Sequence, residues 1–185
     1  MRLAMLPLAF VAVTLPLAAC KQKAVEATNE KPSEVAARVA AANAGGAPQF
    51  QPGRWETAIQ IVKMDMDGVP PEAKTMMERM MGKGRTVTSC LTTEQAEKPG
   101  GKFFGQADQN CTYDHFSMNG GQIDAKMTCK TPHGAQVMTM NGTFTPASYE
   151  STMQMEGEGP TGQGMTMTMH LSAKRTGDCT GKEDG

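Results

Sequence analysis

From residue 51 the chain alternates. Trp55, Thr57, Ile59 and Ile61 are separated by Glu56, Ala58 and Gln60, and in an extended chain a repeat of two sends one set to each side. The same rhythm recurs downstream. Residues 86–91 read as a second strand, and residues 111–118 and 122–130 flank Asn119-Gly120-Gly121, a hairpin signal. On 122–130 Ile123, Ala125, Met127 and Cys129 share one face, while Asp124, Lys126, Thr128 and Lys130 share the other. Pro132-His133-Gly134 turns the chain into a strand over 136–144, and Thr145-Pro146-Ala147-Ser148 into another over 149–157. Gly159-Pro160-Thr161-Gly162 precedes the last, 164–174. Turns this tight demand antiparallel neighbours. The expected fold is therefore mainly β: an antiparallel meander of about seven strands forming an open or partial barrel, with one short Met-rich helix against it.

That helix opens at Pro70-Pro71, has Glu72 in its first turn and ends at Gly82. Met76, Met77, Met80 and Met81 form a stripe along it. A second short helix is expected over 94–97. The Gly-rich stretch 99–110, with Phe103-Phe104, reads as a loop with apolar anchors.

Upstream, the pattern is different. Arg2 is followed by an apolar run to Ala19, and Leu17-Ala18-Ala19-Cys20 has the layout of a lipobox. The expectation is a lipoprotein signal peptide over 1–19 and acylation of Cys20. Pro7, Pro16 and the shortness of the run argue against a membrane-spanning helix. Residues 20–50 then read as the acylated Cys and a flexible tether, rich in Ala, Lys, Glu and Asn. Ser33 would cap a short Ala-rich helix over 34–43, with only Val35 and Val39 to bury. Residues 51–179 form the β domain and 180–185 a disordered tail. Lys21 stands where the Asp of inner-membrane retention would be, so the expected address is the periplasmic side of the outer membrane, lipid-anchored, with the inner membrane as the alternative.

Five cysteines occur, at 20, 90, 111, 129 and 179. With Cys20 acylated, an even number remains in an oxidising compartment, where two disulfides are the default. Positions 111 and 129 lie equally far from Gly120 and so face each other across the hairpin, or nearly so. This favours Cys111–Cys129 and leaves Cys90–Cys179, with Cys90–Cys111 as a competing pair. The absence of any C-x-x-C argues against a thioredoxin-like site and a zinc ribbon.

Loss of Arg2 with the leader leaves 17 basic residues against 19 acidic ones, a balance with no electrostatic attraction for nucleic acid. No nucleophile elbow, zinc-protease motif or P-loop is present. Asp65-Met66-Asp67-Gly68 opens like a calcium loop, but Val69 follows and no Glu stands at the twelfth position. His115, His133 and His170 lack partners at metal-ligand spacing. The chain is thus expected to be no enzyme, with no catalytic residue, no metal site and no cofactor.

What demands explanation is methionine, at 17 residues against nine aromatics. Met138 and Met140 share one strand, Met153 and Met155 the next, and Met165, Met167 and Met169 the last, with Thr139, Gln154, Thr166 and Thr168 between them. Three readings compete: a core packed with unbranched side chains, a pliable pocket for a lipid or other greasy ligand, and a Cu(I) site built from M-x-M thioethers. Alternation turns these sulfurs into one apolar layer without Cys or His, which weighs against copper. Under the pocket reading Met76 and Met80, with Met77 and Met81, cover the opening. The favoured function is a non-catalytic envelope lipoprotein of unknown specific role. Its partners are the membrane, through the anchor, and an apolar ligand or envelope protein held on the Met-lined sheet. The alternative is a periplasmic Cu(I)-binding protein.

Gly53-Arg54-Trp55-Glu56, Cys90-Leu91-Thr92-Thr93-Glu94 and the closing Gly177-Asp178-Cys179 together resemble a bacterial exported family, domain of unknown function 3617, over residues 51–179. The resemblance implies a secreted or periplasmic β-rich domain and supports disulfides. It carries over no catalytic or binding residue.

Overall fold

The computed structural model describes residues 23–44, 49–82, 84–98, 110–132, 134–158 and 162–183. Eight strands form one antiparallel sheet: β1 (Val25–Glu30), β2 (Gly53–Met66), β3 (Arg85–Leu91), β4 (Cys111–Asn119), β5 (Gln122–Thr131), β6 (Gly134–Thr145), β7 (Ser148–Glu158) and β8 (Gly164–Gly177). Their order across the sheet is β1-β4-β5-β6-β7-β8-β2-β3, so the expected meander runs unbroken from β4 to β8. The chain then closes back on β2, which lies between β8 and β3.

Among the described residues three helices accompany the sheet: α1 (Pro32–Ala44), α2 (Pro71–Met81) and α3 (Thr93–Glu97). Pro at the first helical position costs no hydrogen bond and has its φ set in advance, which explains Pro32 and Pro71. The expected cap on α1 moves by two residues. Glu34 and Val35 donate to the Lys31 carbonyl (2.9 and 3.1 Å), and Lys31 N–H donates to Glu34 Oε2 at 2.7 Å, so Lys31 rather than Ser33 stands at the N-cap. At α3 Thr92 accepts from Gln95 N–H while Gln95 accepts from Thr92 N–H, a capping box.

The tether expected over 20–50 is corrected for its described part. Val25–Glu30 pairs with β4, from Val25 opposite Met118 to Glu30 opposite Tyr113. Helix α1 then packs back over β1 and β4, with Val35 and Val39 buried. Its far end meets α3: Asn43 Nδ2 donates to the Ala96 carbonyl at 2.9 Å, and Gln49 N–H to Asn43 Oδ1 at 3.1 Å. Since β1 and β3 are opposite edges, a flat sheet would hold them about 34 Å apart. A 13-residue helix spans only about 20 Å. Contact between α1 and α3 therefore requires the sheet to curl, and these helices bridge its open seam.

One apolar cluster lies inside the curl. Phe116, Met118, Tyr113, Ala125 and Met127 come from β4 and β5, Val35 and Val39 from α1, and Trp55, Leu91, Phe144 and Ala173 from the strands beyond. Phe50 joins them, its ring 5.8 Å from Trp55 and 5.5 Å from Phe144. Trp55 Nε1–H donates to the Gln51 carbonyl at 3.0 Å, so the indole is buried without an orphaned donor. Gly53 is required beside it. Its φ is 140°, and a Cβ there would stand 2.4 Å from the Gly177 carbonyl oxygen.

Both favoured disulfides form, Cys111–Cys129 with 4.0 Å between Cα atoms and Cys90–Cys179 with 5.5 Å. The first depends on a bulge. Asn119 opposite Gln122 fixes a two-residue turn, and an unbroken ladder from there would set Cys111 against Lys130. An extra residue at Asp114 shifts the register by one and brings Cys111 opposite Cys129. At the C-terminus, Glu183 accepts from Thr180 and Gly181 N–H (2.7 and 2.9 Å), which holds its carboxyl down at about 2. Residues 180–183 are thus bent around these bonds rather than forming the expected disordered tail, whose last two residues lie outside the described ones. The loop expected over 99–110 lies outside the described residues except for Asn110.

Candidate functional site

Residues directly opposite in an antiparallel ladder share a face, with Cα atoms about 4.5–5.5 Å apart. Across the inner face, one such row runs Met127, Met138, Met155, Met167, Met64 over β5, β6, β7, β8 and β2. Every position in it is methionine. The neighbouring row runs Ala125, Met140, Met153, Met169, Ile61, and beyond the first row Met165 stands opposite Met66. The seven strand methionines singled out from alternation are thus brought together on one face.

Three more join them that alternation did not single out for the site. Met127 continues the row onto β5. Met64 and Met66 belong to it only because the β2–β8 register shifts between Ile61 and Lys63. Val62 is the extra residue of that bulge and is 45% exposed. In an unbulged strand of this sequence, Met64 would fall on the opposite face from Ile61. The phase break was written in the sequence, where Ile59 and Ile61 occupy odd positions but Met64 and Met66 even ones.

The rows differ in what lies above them. Met127 is 8% exposed and Met118 1%, whereas Met138, Met140, Met153, Met155, Met165, Met167, Met169, Met64 and Met66 are all half-buried. Met138 and Met140 pack against the apolar cluster. Helix α2 follows the edge of β2 beyond Ile59, where β3 has no partner for it, and Lys74 pairs with Asp65 there. That ion pair holds the Asp65 carboxyl below the usual carboxylate range. Met76, expected to cover the opening, is 65% exposed on α2. The side chains of Met77, Met80 and Met81 lie outside the described residues.

The outer face is polar. Ser117, Asp124, Asn141, Thr152, His170 and Gln60 form a row across it. Asp124 accepts from both His115 and Asn141, and Thr152 Oγ1 lies 3.0 Å from His170 Nδ1. His170 is therefore on the threonine side, apart from the sulfurs. His133 lies outside the described residues. Among the described residues no group of three or more His, Cys, Asp or Glu is placed to hold a metal ion, and Asp65-Met66-Asp67-Gly68 makes a turn into α2 with Gly68 at φ 74°. The leader over 1–19 and Cys20 also lie outside the described residues. No described helix is long and apolar enough to cross a membrane.

No curated protein and no solved structure matches the chain. A family model described as "Protein of unknown function (DUF3617)" matches residues 50–179, which takes in β2 through β8 and both disulfides but leaves β1 and α1 outside. The three motifs of the resemblance lie where the structure needs them: Gly53 against the Gly177 backbone, Thr92 capping α3, and Cys90 joined to Cys179. The chain therefore belongs to this family, DUF3617.

Proposed function

We propose that this is a lipid-anchored, non-catalytic protein of the bacterial envelope that binds an acyl chain or similarly apolar molecule on the inner face of its sheet. The carrying observation is the unequal burial of one continuous thioether surface: Met127 is core, while nine methionines beside it are half-buried. Methionine suits such a surface because its three torsions and polarizable sulfur adapt to an irregular guest. A rigid leucine or valine layer would fit one shape only.

The anchor in this proposal is Cys20, which follows Leu17-Ala18-Ala19. The address is the periplasmic side of the outer membrane, with Lys21 as its support. An anchor at Cys20 stands only five residues before Val25 of β1, so the domain is held within about 17 Å of the bilayer. Lipid tails are the apolar molecules most abundant there.

Protein extracted from membranes and examined by native mass spectrometry tests this. Lipid retained by the parent and lost from Met155→Asp, with the melting curve of the parent, is the expected result. A parent free of lipid, or a variant that retains it fully, overturns the apolar-ligand reading. Cys20→Ala tests the anchor separately: the protein should move from the membrane to the soluble fraction.

A further inference from the structure

We propose that the row Met138, Met155, Met167 and Met64 is a Cu(I) site. These residues face one another on consecutive strands β6, β7, β8 and β2. Each inner member has a thioether on both sides: Met155 lies between Met138 and Met167, and Met167 between Met155 and Met64. Two overlapping sets of three sulfurs result. The sheet curls toward this face, so side chains converge above it, and an unbranched side chain with three torsions can turn its sulfur to a common point.

The chemistry selects the ion. Thioethers are soft and neutral, a donor set that suits Cu(I) and its analogue Ag(I) and is poor for Zn(II), Mg(II) or Ca(II). All four described cysteines are in disulfides, so they offer no thiolate to compete. His115 and His170 belong to the outer face. Alternation alone weighs against copper because it makes a shared apolar layer without Cys or His; the face still has neither, but the layer is not sealed, since all four side chains are half-buried. A singly charged ion there keeps part of its contact with water, and entry needs no opening of the core. This assignment goes beyond the apolar-ligand reading, and it asks for four residues rather than the whole face.

Two properties separate such a site from any other copper site in the chain. A thioether binds no proton, so affinity should be flat from about pH 5.5 to about pH 7.5, whereas a histidine site weakens as imidazole protonates near 6.5. Leucine in place of methionine preserves size and apolarity but removes the ligand.

The test uses the disulfide-intact protein under argon, competing for Cu(I) with a chromophoric chelator. Expected are about one tightly held ion per chain, pH-independent affinity, and a loss greater than about tenfold in Met155→Leu and Met167→Leu, since even an outer-shell partner is worth that much. Selenomethionine-labelled protein gives a readout without substitution: Cu–Se scattering in X-ray absorption. No transfer from the chelator, affinity that falls with histidine protonation, or binding that survives the Met155→Leu/Met167→Leu double variant overturns the site. Lipid retention is read separately, on the parent protein by native mass spectrometry, so failure of the copper site and failure of the apolar-ligand reading are distinguishable.

Discussion

Met127 and Met155 stand two strands apart in the same row of the same face, yet one is core and the other half-open. The difference lies above the sheet. Over β4 and β5 the β1–α1 unit supplies a second layer, with Val35 fully buried and Phe116 and Met118 at 1% exposure. Over β7, β8 and the end of β2, the methionines have no such cover from α1, which packs on β1 and β4 and touches α3. Alternation decides which way a side chain points, and the second layer decides whether it becomes core. The covered half holds the largest fully buried side chains, and the half-open one carries the surface proposed above to bind.

Large-to-small substitution should expose this contrast most strongly. Phe116→Ala removes a ring packed 5.4 Å from Tyr113 and should cost about 4 kcal/mol, as for other buried Phe. Met155→Ala, at a position already half in water, should cost only about 1 kcal/mol, well below the range for buried Met. Urea midpoints at unchanged m-value measure both. Equal losses would break the comparison, since they would make the methionine half as much core as the other. Next in size is the disulfide of the covered half. Replacing Cys111 and Cys129 by Ser reopens a cross-link that spans 18 residues, for an expected loss of about 3 kcal/mol in the chain-entropy account. The thermal transition should fall accordingly while the Cys90–Cys179 link stays in place.

Much of this was legible from residues, and the part that was not has physical reasons. Strands β4 to β8 announce themselves because each alternates and each turn carries its Gly, Pro or Asn. The Asn119-Gly120-Gly121 turn even gives the Cys111–Cys129 pairing to within one step, the step that the Asp114 bulge supplies. The methionine face was legible as a face. Its state of burial was not, because α1 is invisible as a covering element: its only large apolar residues are Val35 and Val39. Strand β1 is hidden for a related reason. As an edge strand it needs only Val25 and Ala27 facing inward, and two apolar residues in six make no pattern. Met64 and Met66 escaped because a bulge changes the phase of alternation, and a reader who counts by two carries the wrong phase past Val62.

The join between the halves gives a smaller effect. Gly142 on β6 stands opposite Ser151 on β7, two small residues on the inner face between the methionine rows and the aromatic end. A Cβ at Gly142 would come within 2.2 Å of the Glu150 carbonyl oxygen and 2.7 Å of Ser151 Cβ. Gly142→Ala should therefore separate the two strands locally and cost about 2 kcal/mol, as overpacking does. Hydrogen exchange would locate the change, with faster exchange confined to β6 and β7. If protection falls in β4 and β5 as well, the halves are mechanically one, and the contrast between them loses its meaning.

The smallest effect concerns two tyrosines on opposite sides of that join. Burial raises the phenol pKa of Tyr113, inside the covered half, and of Tyr149, which packs on Trp55 (6.3 Å) and Phe50 (6.0 Å). At Tyr149 a hydrogen bond with Thr57 works the other way, favouring the phenolate. A raised acid holds its proton longer folded than unfolded, so its contribution to stability is whole below the unfolded value of about 10 and is lost as pH rises through the folded value. Phenolate absorbance, followed up to the alkaline transition, should show both groups ionising late. Thr57→Ala removes the opposing bond, so Tyr149 should ionise later still while Tyr113 keeps its midpoint. A shift in both would mean that the aromatic end and the α1-covered layer respond as one body. A shift in Tyr149 alone would show that the aromatic end and the α1-covered layer respond separately.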